Sequence, residues 1–199
     1  MLTALLEKVS NHLCIKSNLQ LSIISILAVT GPLVILAAGI WDAINHIQNS
    51  PEFFWSDPHI VVYAGVAIVA VASLFSINLL IKNSIHGILK RGLQLVIIGS
   101  IIQIVSGFGD SIFHDMFGID GLLSLTHQPL EIGIVLSALG GFFIIKSSQN
   151  SNLKTFLPFA IVTFLLMTSW LGFNLALYFG HYIQCMPIHL LFSSGCSIL

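Results

Sequence analysis

Two groups of one aspartate and two histidines share the spacing Asp-x3-His-x12-His in separate parts of the chain. The first group is Asp42, His46 and His59, and the second is Asp110, His114 and His127. Each member of the second group lies 68 positions after its counterpart (110−42, 114−46 and 127−59), which indicates an internal duplication. A carboxylate with two neutral imidazoles suits copper, zinc or non-haem iron, so the spacing predicts a metal site in each copy.

The elements that must position these residues are membrane-spanning helices. Of the 199 residues, 56% are hydrophobic and only 8% are charged, and the mean hydropathy is +0.97. This composition is typical of polytopic membrane proteins embedded in a lipid bilayer and excludes a soluble domain. Five apolar stretches can each cross about 30 Å of hydrocarbon, which predicts an all-α bundle of about five transmembrane helices. They are residues 19–47, 59–81, 92–117, 127–145 and 155–183.

The duplication divides the chain into four parts. Residues 1–18 are predicted to form a cytoplasmic interfacial segment, and residues 19–83 and 84–147 two transmembrane hairpins. Residues 148–199 would supply the fifth transmembrane helix and an outer tail. Because both hairpins cross the membrane in the same direction, they form a parallel repeat about an axis along the membrane normal.

The basic residues indicate the orientation of the chain in the cell membrane. All 7 Lys and Arg residues lie before the first span, between the second and third, or between the fourth and fifth. Since Lys and Arg in short loops are retained in the cytoplasm, the N-terminus is predicted to be cytoplasmic and both Asp-His groups extracytoplasmic. The dispersed basic residues and the net charge of −1 argue against a nucleic-acid partner. The 3 cysteines have no paired spacing that would indicate a disulfide framework.

Helical periodicity explains how each group could converge on one ion. Asp42 and His46 are four residues apart and share one face of a helix, and His59 begins the next helix after a short loop. The alternative is that hydrogen-bonded His–Asp pairs hold the helix ends together. Ionisable residues at membrane depth are usually functional, and their repetition at one spacing favours the metal site.

A few further polar residues are candidates for roles near these groups. Glu131 lies one turn after His127, at the position that corresponds to Tyr63 in the first copy. It could be a fourth ligand, a partner that orients His127, a proton relay, or a protonated buried carboxyl bonded to a neighbouring helix. Asn174 belongs to a polar stripe that predicts hydrogen bonds between helices. Small residues on the fourth span predict close helix packing; they are Ser137, Ala138, Gly140 and Gly141. The sequence does not assign a role to His181 or His189.

The first group, with its ending Trp-Ser-Asp-Pro-His at residues 55–59, resembles a copper-site segment in the C subunit of membrane-bound copper monooxygenases. These enzymes oxidise methane or ammonia. The likeness covers residues 40–141 in layout and implies a second copper site at the second group. Residues 49–52, Asn-Ser-Pro-Glu, replace the family's Arg-Asp-Thr stretch, and only Asp115, with Asp120 further on, stands where an acidic pair is expected. The resemblance therefore implies a divergent paralogue or an additional subunit, in a complex with other membrane subunits.

Several function classes follow from these observations. The first is a copper-binding subunit of an ammonia or methane monooxygenase-like complex, in which copper would activate dioxygen. The second is a non-catalytic structural or metal-handling membrane protein. A haem-binding electron carrier is disfavoured because the histidines lie at helix ends beside aspartates, and a zinc-dependent membrane hydrolase lacks a convincing general base other than Glu131.

Overall fold

A computed structural model describes residues 2–48, 55–117, 126–180, 183–185 and 196–198, with side chains for 18–45, 48, 55–113, 115–116, 126–177 and 179. The fold is helical apart from one short strand pair near the C-terminus. The helices are α1 (Leu2–Ile47), α2 (Asp57–Lys82), α3 (Gly87–Phe117), α4 (His127–Ser147), α5 (Ser151–Lys154) and α6 (Leu157–Gly180). Strands β1 (Ile183–Cys185) and β2 (Cys196–Ile198) pair in antiparallel fashion.

Within the described residues, 5 helical segments are long and apolar enough to cross a membrane, which confirms the predicted number of spans. They are Asn18–Asn45, Asp57–Lys82, Gly87–Phe113, His127–Ser147 and Ser151–Leu177. Residues 2–18, predicted as a separate interfacial segment, are helical and continue without a break into the first span. The reason is local: no glycine or proline interrupts the sequence before Gly31.

The first four long helices form a closed bundle. Helix α1 packs against α2 and α4, and α3 packs against α2 and α4, while α6 lies against α4 and α1. Large apolar side chains cover the outside of the bundle, as contact with lipid requires; Leu74 is 66% exposed and Phe108 is 70% exposed. These contacts place one end of each of the helices α1, α2, α3 and α4 around a common centre.

Glycines bring the two helices of each hairpin into close contact. In the first hairpin, a Cβ added at Gly65 would lie 3.1 Å from the carbonyl oxygen of Gly31. In the second, a Cβ added at Gly133 would lie 2.8 Å from the carbonyl oxygen of Gly99. Only glycine permits backbones to approach this closely, so these positions fix the crossing of α1 with α2 and of α3 with α4.

The small-residue segment 137–141 of α4 also packs closely, as the sequence predicts. A Cβ at Gly140 would lie 2.7 Å from the carbonyl oxygen of Gly92 on α3, and one at Gly141 would lie 3.0 Å from Val29 Cγ2 on α1. Buried Ser137 donates a hydrogen bond of 2.9 Å to the carbonyl oxygen of Gly133 one turn earlier. Helix α4 is therefore held closely against α3 and α1, and its N-terminal turn has a fixed position relative to both.

Candidate metal centre

In the first hairpin, Asp42 and His59 lie side by side at the ends of two adjacent helices. Asp42 is in the last two turns of α1, and its side chain is 8% exposed. Pro58, the second residue of α2, has a fixed φ that suits a helix start, and His59 follows it in the first turn. His59 Nε2 lies 3.6 Å from Asp42 Oδ2. The structure thus brings together the aspartate and the second histidine of the first group.

The second hairpin repeats this arrangement. Asp110 on α3 is 7% exposed, and its Oδ1 lies 3.4 Å from Nε2 of His127, the first residue of α4. Thr126, which immediately precedes α4, donates a side-chain hydrogen bond to the same Asp110 oxygen. Sequence analysis missed Thr126, because Pro58 occupies the corresponding position in the first copy and the repeat therefore gave no signal.

The remaining histidines are not described at the level of side chains. His46 lies in α1 and His114 in α3, but their side chains, and all of His181 and His189, are outside the described residues. Among the described side chains, no group of 3 or more His, Cys, Asp and Glu residues is arranged to hold a metal ion. The structure therefore describes the side chains of two of the three ligands predicted in each group.

Both Asp–His pairs line one cavity of about 80 Å³ between the two hairpins. Its polar lining is Asp42, His59, Tyr63, Asp110, His127 and Glu131. Apolar side chains such as Val62, Leu130 and Met167 form other parts of the wall. Sequence analysis assigned one site to each hairpin, and in the structure the two pairs line the same, partly open cavity.

Glu131 belongs to this cavity and is tied to α6. Its side chain is 8% exposed, and its Oε1 accepts a hydrogen bond of 2.7 Å from Asn174 Nδ2. Asn174 also donates to the carbonyl oxygen of Trp170, at 3.2 Å. The interhelical hydrogen bond predicted for Asn174 is thus confirmed. The other carboxylate oxygen, Glu131 Oε2, is buried and has no hydrogen-bond partner among the described residues.

Tyr63 lines the cavity at the position in the first hairpin that corresponds to Glu131. Its hydroxyl donates a hydrogen bond of 3.0 Å to the carbonyl oxygen of Gly107 on α3, so it joins α2 to the other hairpin. The ring of Trp55 packs on Tyr63 with a centroid separation of 5.7 Å. The corresponding positions of the two hairpins therefore carry different chemistry: a hydrogen-bond donor in one and a carboxyl group in the other.

The cavity concentrates acidic groups. Three carboxyl groups and two imidazoles line it, and its described lining includes no lysine or arginine. Burying several carboxylates close together is costly, and protons on these groups or a bound cation would offset that cost. The donor set is one that divalent transition metals accept.

Helix α6 contributes two cavity residues that sequence analysis missed. Met167 is 2% exposed and lies in the wall with Trp170. Each is an ordinary apolar residue of a membrane span, so no pattern marked it. The polar stripe that identified Asn174 was the available signal that this face of the helix points inward.

A comparison of the chain with protein-family models, with curated proteins and with solved structures finds no match. The resemblance to the C subunits of copper monooxygenases therefore stays a prediction that depends on the motif residues. What the chain can do must be inferred from the cavity and the groups that line it.

Proposed function

We propose that the chain is an integral membrane protein that binds copper in the cavity between its two hairpins. The observation that carries this proposal is the placement of two Asp–His pairs on one buried cavity whose described lining contains three carboxyl groups and no basic residue other than histidine. A divalent cation offsets the charge of these carboxylates, and neutral imidazoles add the nitrogen ligands that copper prefers.

The separations within the pairs support a shared ion over a direct hydrogen bond. The N–O distances of 3.6 Å and 3.4 Å exceed the range of about 2.7–3.2 Å that N–H···O hydrogen bonds occupy. Two donors that each lie about 2.1 Å from a tetrahedrally coordinated ion are about 3.4 Å from each other. The pairs are therefore spaced like neighbouring ligands of one metal.

In this proposal Asp42 and His59 hold one copper ion at one side of the cavity, and Asp110 and His127 hold a second ion at the other side. His46 and His114 complete the predicted ligand sets. Bound copper supplies Lewis-acid and one-electron redox chemistry. The protein's part is to fix the ligands on helix ends and to limit the access of water with the apolar wall of α2, α4 and α6. The motif resemblance extends the proposal to a divergent subunit of an ammonia or methane monooxygenase-like complex, which would need partner subunits.

The second candidate is a structural role in which the Asp–His pairs hold the helix ends together without a metal. The hydrogen bond from Thr126 to Asp110 favours this candidate for the second hairpin, because it already satisfies one carboxylate oxygen. A non-catalytic metal-handling protein is intermediate between the two candidates, with bound copper but no oxidation. Metal content and oxidation must therefore be measured separately.

Metal analysis of the protein purified in detergent tests copper binding. Asp42→Asn and Asp110→Asn keep the side-chain volume but remove the charge, so each is expected to lower the copper bound per chain. Asp57→Asn and Asp115→Asn are matched controls, because both carboxyl groups are exposed and neither lines the cavity. Unchanged copper content in the first two variants would contradict the proposal. Oxygen-dependent oxidation of ammonia or methane, with and without candidate partners, then separates the monooxygenase hypothesis from metal handling.

We also infer that the hairpins are copies of one ancestral unit. The 68-residue displacement relates Asp42 and His59 to Asp110 and His127, and each pair is in contact. The same displacement relates the glycine crossing of α1 with α2 to that of α3 with α4. Similar contacts at a constant displacement are the expected result of duplicating a folded unit.

The proposed orientation places the cavity near the extracytoplasmic face. In a chain whose native cysteines are replaced by serine, Asp57→Cys is expected to react with a membrane-impermeant maleimide in intact cells. Ser84→Cys, in the exposed connection between α2 and α3, is expected to react only after permeabilisation. The reverse pattern would contradict the orientation that the basic residues predict.

A further inference from the structure

The two sides of the cavity differ at one pair of corresponding positions. Tyr63 directs its hydroxyl to a backbone carbonyl of α3 and thereby has a structural partner. Glu131 accepts a hydrogen bond through Oε1, and its Oε2 has no partner within the described part of the chain. The two sides also differ at Thr126, which donates to Asp110, whereas Pro58 stands at the corresponding position of the first hairpin. Groups such as these can make the two sides bind differently.

Glu131 has the features expected of a metal ligand. Its side chain is more than nine-tenths buried, lines the cavity, and presents an oxygen without a partner among the described residues. A buried carboxylate oxygen without a donor is unfavourable unless a proton or a cation occupies it. The hydrogen bond from Asn174 at 2.7 Å restrains the carboxyl group through its other oxygen. Asn174 thus acts as a positioning residue for Glu131.

We propose that Glu131 binds, through Oε2, the cation held by Asp110 and His127. The second hairpin then supplies two carboxylates to its ion, whereas the first supplies one. Glu131 lies one helical turn after His127 and lines the same cavity as Asp110 and His127. The described side chains are not already arranged around one point, so in this proposal they close around the ion when it binds. This inference rests on the proposed metal binding and adds a ligand to it.

The second carboxylate gives the two sides different selectivity. Carboxylates favour harder divalent cations, whereas copper(I) prefers soft sulfur or imidazole ligands. The side that contains Glu131 therefore takes a divalent cation such as zinc(II) or copper(II) in preference to copper(I). The side that contains Tyr63 lacks this bias, because a phenol that donates to a carbonyl offers the ion no anionic oxygen.

Competition titrations on the full chain in detergent, with zinc(II) and with copper(I) as separate probes, test this assignment. Glu131→Gln keeps the shape of the side chain and removes its charge. It is expected to weaken zinc(II) binding by at least about tenfold, the loss that follows even from removing an outer partner of a metal ligand. Copper(I) binding is expected to change much less. Asp115→Asn, an exposed carboxyl-to-amide change on α3, is the matched control and should leave both affinities unchanged.

The outcomes separate this inference from the proposal on which it rests. If the wild-type chain binds neither probe, metal binding itself is wrong. If the wild type binds zinc(II), Asp110→Asn loses it and Glu131→Gln does not, the Asp–His site stands and the role of Glu131 is overturned. Equal losses of zinc(II) and copper(I) in Glu131→Gln would indicate a structural effect and would also overturn it. Should Glu131→Gln fail to fold, Glu131→Asp retains the charge but shortens the reach; weakened zinc(II) binding supports the ligand, and unchanged binding overturns it.

Discussion

The glycine crossing of the second hairpin provides a test of the fold that does not depend on any metal. A Cβ at Gly133 would lie 2.8 Å from the carbonyl oxygen of Gly99, 2.9 Å from Gln103 Cγ and 3.1 Å from Gln103 N. Two of these three atoms belong to the α3 backbone and cannot rotate away. Gly133→Ala must therefore push α3 and α4 apart along their length.

Overpacking of this kind costs about 1–3 kcal/mol. Alanine recovers up to about 1 kcal/mol through its higher helix propensity. We therefore expect Gly133→Ala to lower the free energy of unfolding by about 1–2 kcal/mol, since the separated helices also lose contacts on either side of the glycine. Gly172→Ala on α6 is the matched control, because a Cβ there meets nothing within 4 Å and only the helix propensity changes.

The assay is reversible unfolding in mixed micelles by titration with a denaturing detergent, followed by helical circular dichroism. We expect Gly172→Ala to be at least as stable as the wild type, and Gly133→Ala to unfold at clearly lower detergent fractions. Equal stability of the two alanine variants would refute the close crossing of α3 and α4. The same result would remove the reason why Asp110 and His127 face each other.

The same unfolding assay checks three further expectations. Tyr63→Phe should lower the free energy of unfolding by about 0.5–1.5 kcal/mol, because it removes the hydrogen bond to the α3 backbone; no loss would mean that this bond does not join the hairpins. Asn174→Leu should cost about 1–3 kcal/mol, since it leaves Glu131 buried without its donor, and a neutral effect would contradict that contact. Gln103→Leu should change the free energy of unfolding little, because the loss of the 2.9 Å hydrogen bond from Gln103 Nε2 to Ser137 Oγ is offset by removing the buried Oε1, which has no partner in the described part of the chain; a large loss would show that this oxygen does have one.

The sequence predicted the features that depend on periodicity and local composition. The five spans follow from apolar runs of membrane length, and each matches a described helical segment, although the fifth was predicted to reach residue 183, where the structure has β1 instead. The convergence of Asp42 with His59, and of Asp110 with His127, follows from placing each aspartate near one helix end and each histidine at the start of the next. Asn174 was identified as an interhelical hydrogen-bond donor from its place on a polar stripe.

The shared cavity was beyond sequence analysis because it depends on how the hairpins pack against each other. The repeat relates Asp42 to Asp110 but gives no angle or distance between the copies. The hydrogen-bond partner of Glu131 lies on α6, outside the two hairpins. The 68-residue displacement therefore could not show that Asn174 is that partner. The glycine crossings were available to sequence analysis, since Gly31 and Gly65 recur as Gly99 and Gly133 at the same displacement, but isolated glycines in apolar helices give a weak signal.

In each hairpin the aspartate lies far along its helix from the glycine crossing. A small change in the crossing angle therefore moves the aspartate by a larger distance than it moves the residues at the crossing. Asp42 lies 11 residues beyond Gly31, and Asp110 lies equally far beyond Gly99. At 1.5 Å per residue this distance is about 16 Å, so a change of about 5° in crossing angle moves the carboxyl group by about 1.4 Å. Helices tilt to match the thickness of the surrounding bilayer. The distance between aspartate and imidazole should therefore differ between short-chain and long-chain lipids. The affinity of the proposed metal site would then depend on the thickness of the bilayer.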